Sequence, residues 1–262
     1  LEKHRFVTLK VINSTKYNGQ KVSKIINMKN NDLRFTNFNV ECINKMNLDL
    51  LFLAMPNGEA MKIISKLNCK VIDLSADYRF KDKKIFEDVY GIKHTDNKNK
   101  AEYGLPELNR KSIKNAKLIG NPGCYVTSCI LAGLPLLKIY DHVVFDCKSG
   151  YSGAGRDSEY IKNPDLIKDN IIPYKITNHR HKYEIQQILG RKISFTPHVI
   201  NTFQGLLCTA HIFLQTSFIK KFKNNNKLMV NEIKVLFKSY YKNEKFIKII
   251  DGVPDLHSVQ GT

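Results

Sequence analysis

No apolar run in the 262-residue chain is long enough to cross a membrane as a helix, which takes roughly 20 residues in succession. The longest candidate, Cys129 to Leu137, falls well short. No CxxC pair occurs among the cysteines at 42, 69, 124, 129, 147 and 208, and a chain of this size has no need of disulfide staples. A reducing compartment is therefore expected, with most of the thiols read as small core residues. The spacings GxGxxG and GxxxxGK[ST] are both absent. Acidic residues are few: Asp and Glu total 24 against 42 Lys and Arg, a formal net charge of +18. Such an excess favours anionic partners: nucleic acid, an anionic membrane or a phosphorylated substrate. The cations are nevertheless scattered through Lys/Asn runs, at 96–100 and 220–227, and form no basic stripe interleaved with aromatics, so nucleic-acid binding stays a weak alternative. A hydrophobic fraction of 42% with 25% charged residues excludes a wholly disordered chain.

What is present has an order. Phe6 to Ile12 alternates and reads as a strand, Asn13 to Gly19 as a polar loop, and Val22 to Met28 as a short helix. Leu48 to Ala54 and Lys70 to Leu74 are nearly continuous apolar runs, as expected of strands covered on both faces. Between them Glu59 to Leu67 reads as a helix, and Lys117 to Gly120 as a further strand. Strand–helix–strand order implies a parallel sheet with right-handed crossovers, whose ligands lie beyond the carboxyl ends of the strands. After an apolar helix from Tyr125 to Lys138, longer strand-like runs at 143–147, 193–196 and 205–214 suggest a mostly antiparallel sheet, and Leu228 to Tyr241 an amphipathic helix. The fold class is thus α/β: a Rossmann-type parallel-sheet domain at 1–122, an α+β domain at 123–254, and a short returning segment at 255–262.

Three segments carry chemistry. In Asn121-Pro122-Gly123-Cys124-Tyr125 a thiol stands on a turn from strand to helix. The helix N-terminus stabilises a thiolate, so the residue suits a covalent nucleophile; a buried structural cysteine is the alternative. Asn178-His179-Arg180-His181 supplies a proton donor near neutral pH and a fixed cation, with Glu184 able to orient His181 one helical turn on. His-x-His also ligates metals, but no third ligand is evident and no metal is expected. Lys148 to Arg156 is rich in glycine and hydroxyls, suited to close approach by a flat ligand or a carbonyl oxygen.

The segments Val71 to Arg79, Tyr103 to Arg110, Asn121 to Tyr125, Ser149 to Arg156, His179 to His181 and Phe195 to His198, in that order, resemble the N-acetyl-gamma-glutamyl-phosphate reductases of arginine biosynthesis. The resemblance spans essentially the whole chain. It implies NADPH-dependent reduction of an acyl phosphate to an aldehyde through a Cys124 thioester, with His179 or His181 as acid and base. It further implies Arg110, Arg156 and Arg180 as phosphate or carboxylate partners, guanidinium being able to bind two oxygens at once. Cofactor contacts fall on Ser14, Lys16, Pro56, Ser75, Ser152, Gly153, Ala154 and Gly155. Lys16 matches a 2′-phosphate, and Asn13 to Lys21 holds no acidic residue, which favours NADP. A homodimer or homotetramer is implied, in the cytoplasm, or in an organelle if a preceding segment carries a transit peptide.

Leu1 is not an initiator Met, and the family's Gly-rich turn would precede it. The chain therefore reads as a fragment lacking both ends, expected to bind NADPH poorly. Val126 stands where the family has Pro, and Gln204 where many members have Arg. Aspartate-semialdehyde dehydrogenase, with the same thioester chemistry, is the nearest enzymatic alternative; its nucleophile normally follows Asn, whereas Cys124 follows Gly123.

Overall fold

A computed structural model describes residues 4–26, 32–155, 157–223 and 225–260. The first strand is far shorter than its sequence suggests. Only β1 (Ile12–Asn13) pairs, in parallel with β2 (Phe35–Thr36), and Phe6 is 77% exposed. A strand extends only as far as its partner does, and here the partner offers two residues. The expected helix at 22–28 is a 3-10 turn at Val22–Lys24, and its far end lies outside the described residues.

Helix α1 (Val40–Lys45) is capped by Asn39, whose side chain accepts from the Cys42 N–H. It leads into β3 (Leu50–Leu53). Helix α2 (Ala60–Ile63) runs on as a 3-10 turn to Lys66 and returns the chain to β4 (Lys70–Asp73). Helix α3 (Lys83–Tyr90) ends at Gly91, whose φ of +67° is the left-handed stop that glycine adopts without strain. Strand β5 (Glu102–Tyr103), helix α4 (Pro106–Asn115) and β6 (Leu118–Gly120) complete a sheet of order β3-β4-β6-β5, every pair parallel. Ala60, Val71 and Phe86 are among the buried residues of its core. Leu50 and Phe52 are each 38% exposed, against the expectation of a strand covered on both faces, because β3 is the sheet's edge.

The second sheet is mixed. Helix α5 (Cys124–Gly133) precedes β7 (Tyr140–Gly150); α6 (Glu159–Lys162) and β8 (Ile171–Pro173) follow. Then come α7 (His181–Leu189), β9 (Lys192–Ile200) and β10 (Leu206–Leu214). The order is β10-β7-β9-β8; the outer pairs are antiparallel, but the long central pair β7–β9 is parallel. Alternation along β7 and β9 buries Val143, Phe145, Ile193 and Phe195 against Val126, Cys129 and Ile130 of α5 and Ile185 of α7. Packed between β10 and α7, α5 is apolar over much of its surface and buries Tyr125, Val126, Cys129, Ile130 and Gly133. Helices α8 (Thr216–Lys220) and α9 (Asn226–Tyr240) follow, the latter fastened by the Tyr241 hydroxyl to the Leu131 carbonyl at 2.6 Å. Among the described residues no helix is long and apolar enough to cross a membrane.

Candidate active site

The carboxyl end of β6 delivers the thiol. Gly120 closes the strand against Tyr78: a Cβ at Gly120 would overlap the Tyr78 carbonyl oxygen and lie 2.7 Å from its carbon, so only glycine fits. Three residues on, Gly123 takes an extended φ of −64° and ψ of 152°, and Cys124 opens α5. Cys124 is exposed, yet protein crowds around its sulfur. That desolvation raises the thiol pKa above its usual value, opposed by the backbone N–H groups of Tyr125 and Cys124 and by the Arg79 charge.

The turn before α7 reaches the same point. A Cβ on Gly123 would overlap His181 Nε2 and lie 2.8 Å from Cδ2 and 2.9 Å from Cε1, so the imidazole rests on the Gly123 backbone, one residue from the thiol. The His179 and His181 rings are 4.7 Å apart, and Tyr125 meets both edge-on. The His181 N–H donates to His179 Nδ1 at 3.1 Å. Both histidines are held neutral at pH 7. Burial, then the charges of Lys175 and Arg180, lower His179 to about 4; burial, then His179, Arg79 and Arg180, lower His181 to about 3.

Glu184 does not orient His181, as its spacing suggests. Fully buried, it turns to the Cys124 loop: Oε1 accepts from Gly123 N–H at 3.1 Å and from Tyr103 O–H at 2.8 Å. Oε2 lies 3.8 Å from Arg79 Nη1, and His181 Nδ1 finds no partner among the described residues. Arg79 is the residue sequence reasoning passes over. Its Nε donates to the Asn121 carbonyl at 2.7 Å and its Nη2 to the Leu74 carbonyl at 2.8 Å, so one guanidinium ties the ends of β4 and β6. Gln187 of α7 grips the following residues, accepting from Lys81 N–H at 2.7 Å and donating to the Arg79 carbonyl at 3.0 Å. Arg79 closes a motif of the sequence, but the bonds that place it and Gln187 at the site, apart from that to Leu74, run to residues 42 to 108 positions away.

The other expected residues divide. Arg110 is exposed on α4 and pairs with Glu244, not with the thiol. Arg180 is exposed, its guanidinium 4.7 Å above the Tyr90 ring, and close enough to both histidines to depress their basicity. Arg156 lies outside the described residues. Ser75 is buried, and its hydroxyl is spent on the protein: it donates to Asp73 at 2.7 Å and accepts from Asp77 N–H at 3.2 Å. Asp77 in turn accepts from Gly58 and Met61 N–H groups at 2.7 and 3.2 Å, lacing the loops after β3 and β4 together. Pro56 is exposed in the first of these loops. Lys16 is exposed just beyond β1 beside the Tyr17 ring, and Ser14 donates its backbone N–H to Thr36. Ser152, Gly153 and Ala154 form a 3-10 turn beyond β7, closed by Gly155 at φ +92°.

Residues 1–116 match the family model of the semialdehyde dehydrogenase NAD binding domain, and 124–262 that of the semialdehyde dehydrogenase dimerisation domain. The N-acetyl-gamma-glutamyl-phosphate reductase of Methanosphaera stadtmanae is 38% identical over all of this chain and 77% of its own length. The chain belongs to the N-acetyl-gamma-glutamyl-phosphate reductase family. The member from Archaeoglobus fulgidus is 42% identical over 95% of this chain and 74% of its own length. Aspartate semialdehyde dehydrogenase II of Vibrio cholerae, solved with ASA, shares the fold with a TM-score of 0.63 at 14% identity, covering 96% of this chain and 76% of that one. The Candida albicans aspartate semialdehyde dehydrogenase, solved with NADP, gives 0.55 at 15% identity over 82% and 67%. The first model spans β1 to β5 and the second runs from α5 through β10, with β6 between them.

Proposed function

We propose that the chain carries out the chemistry of its family: NADPH-dependent reduction of N-acetyl-γ-glutamyl phosphate to N-acetylglutamate 5-semialdehyde and phosphate, a step of arginine biosynthesis. One observation carries the reading: the imidazole of His181 rests against Gly123, the residue before a thiol that opens a helix.

Cys124 is the nucleophile and His181 the acid and base. Because the thiol is pushed up and the imidazole down, the resting pair is thiol and neutral imidazole, not a preformed ion pair. Proton transfer accompanies attack: as Cys124 Sγ bonds to the acyl carbon, its proton passes to His181 Nε2 and the carbon–oxygen bond to phosphate breaks, leaving a thioester. NADPH supplies, when bound, a hydride for the thioester carbon. His181 then gives its proton to the oxygen of the resulting thiohemiacetal, takes it back as the carbon–sulfur bond breaks to release the aldehyde, and returns it to the Cys124 thiolate, restoring thiol and neutral imidazole. The Tyr125 and Cys124 N–H groups at the start of α5 face charge that develops there.

Arg180 is the expected anion partner among the described arginines, since Arg110 is engaged by Glu244; Arg156 remains a further one. The residues assigned to the cofactor follow the carboxyl ends of β1, β3, β4 and β7. Lys16 is an exposed cation with no acidic neighbour in Asn13 to Lys21, as a 2′-phosphate requires, and Pro56 and the turn from Ser152 to Gly155 are open to a ligand. Ser75 contributes through its backbone position only. Division into domains at about residue 122, and a homodimer or homotetramer built on the second sheet, complete the reading; the matched dimerisation-domain model supports the second point.

The test follows NADPH formation in reverse, from N-acetylglutamate semialdehyde, phosphate and NADP. Phosphate-dependent turnover that disappears in Cys124→Ala is expected. Turnover of aspartate semialdehyde instead, or none in folded protein, overturns the proposal.

A further inference from the structure

Three cysteines take no part in this reaction. Cys147 and Cys208 are direct cross-strand partners on β7 and β10, and Cys129 points at them from α5. The Cys129 sulfur lies 3.6 Å from that of Cys147 and 3.7 Å from that of Cys208, and all three fall within 4.8 Å of one another. None is in a disulfide. Three scattered thiols read in sequence as separate core residues therefore meet at one point, between helix and sheet.

We propose that Cys129, Cys147 and Cys208 form a binding site for one soft, thiolate-seeking cation of the copper(I), zinc or cadmium type. Metal–thiolate bonds of about 2.3 Å hold neighbouring sulfurs about 3.8 Å apart, a spacing that the Cys129–Cys147 and Cys129–Cys208 pairs already have. Its ligand set is all sulfur, which selects soft cations over magnesium or calcium. Two ligands come from paired strands and one from a packed helix, so the backbone holds them without loop ordering. Cys129 and Cys147 are buried, whereas Cys208 is partly exposed and gives an ion its way in. Each thiol that coordinates releases one proton to solvent, and no electron is transferred.

The test titrates the reduced chain with cadmium ion and follows thiolate-to-metal charge-transfer absorption in the ultraviolet. Saturation at one cadmium per chain is expected, unchanged in Cys124→Ala and lost in Cys147→Ala, with circular dichroism verifying the fold. Should Cys147→Ala fail to fold, Cys208→Ala at the exposed side of the cluster must show the same loss. Absence of the absorption in folded protein, or absorption that survives Cys208→Ala and vanishes with Cys42→Ala, Cys69→Ala or Cys124→Ala, overturns the proposal.

Discussion

The imidazole of His181 occupies the space that any side chain on residue 123 would fill. The nucleophile loop and the turn before α7 are thereby fitted to each other atom by atom, and glycine is required at position 123 for its missing Cβ, its φ of −64° being open to any residue. Gly123→Ala should push His181 away from Cys124. The expected result is a folded protein whose kcat falls by about 10²–10⁴-fold, the range for losing a general acid–base group. Steady-state kinetics beside a melting curve would check it; unchanged kcat would remove His181 from the mechanism.

Cys124→Ala and His181→Ala should behave as parts of one unit. The first is expected to abolish turnover, by roughly 10⁴-fold or more, and the double variant to be little worse than Cys124→Ala alone. Additive losses would mean that the two residues act independently.

The raised thiol pKa has its own signature. Alkylation of Cys124 by iodoacetamide should be slow at pH 7 and accelerate as pH rises toward and beyond 9, because the thiolate is the reactive form. Mass spectrometry of labelled peptides across pH gives the profile, and a rate already at its plateau at pH 6 would indicate a preformed ion pair.

Glu184 should separate charge from shape. Glu184→Gln retains an oxygen for the Gly123 and Tyr103 donors and should leave the fold nearly intact. Glu184→Ala strands both donors and leaves Arg79 without its carboxylate, a change expected to cost about 3 kcal/mol. Urea denaturation of both variants measures the difference, and equal losses would assign the whole effect to charge.

The neutral histidines set a sign for stability against pH. Folded values of about 4 and about 3 lie below the ordinary 6.5, so between these limits the unfolded chain binds more protons. This contribution is complete above pH 6.5 and is lost as pH falls toward 4 and 3. Buried Glu184 and Asp73, whose pKa values are raised, act in the opposite sense, so the comparison must be with a variant. His179→Gln should flatten the decline in urea midpoint between pH 6.5 and 4; an unchanged slope would refute the assignment.

How far the sequence foretold this site depends on the distance over which each residue acts. The Cys124 turn was legible because strand, glycine and helix follow one another within a few positions. The parallel sheet was legible for the same reason, from its alternating apolar runs and helices. Phe6 to Ile12 misled because alternation records a strand's preference, not the length of its partner, and β2 supplies only two residues. Glu184 misled because helical spacing places it beside His181, whereas its carboxylate is claimed by groups 61 and 81 positions away. Arg110 matched a motif, yet Glu244, 134 residues on, engages it. Ser75 sits where a ligand contact is expected, but its neighbour Asp73 takes the hydroxyl.

Gln187 gives and takes one hydrogen bond along two consecutive stretches of the loop after β4, as a peptide group in an adjoining strand would. A side-chain amide thus serves as a rivet between the plate that bears Arg79 and the beam that bears His181. It stands one helical turn from Glu184, whose carboxylate holds Tyr103 and faces Arg79, so α7 is fastened to the first sheet at two levels. Replacing its nitrogen with oxygen, as in Gln187→Glu, would set a carboxylate against the Arg79 carbonyl and unfasten one side of the rivet while the Lys81 side holds.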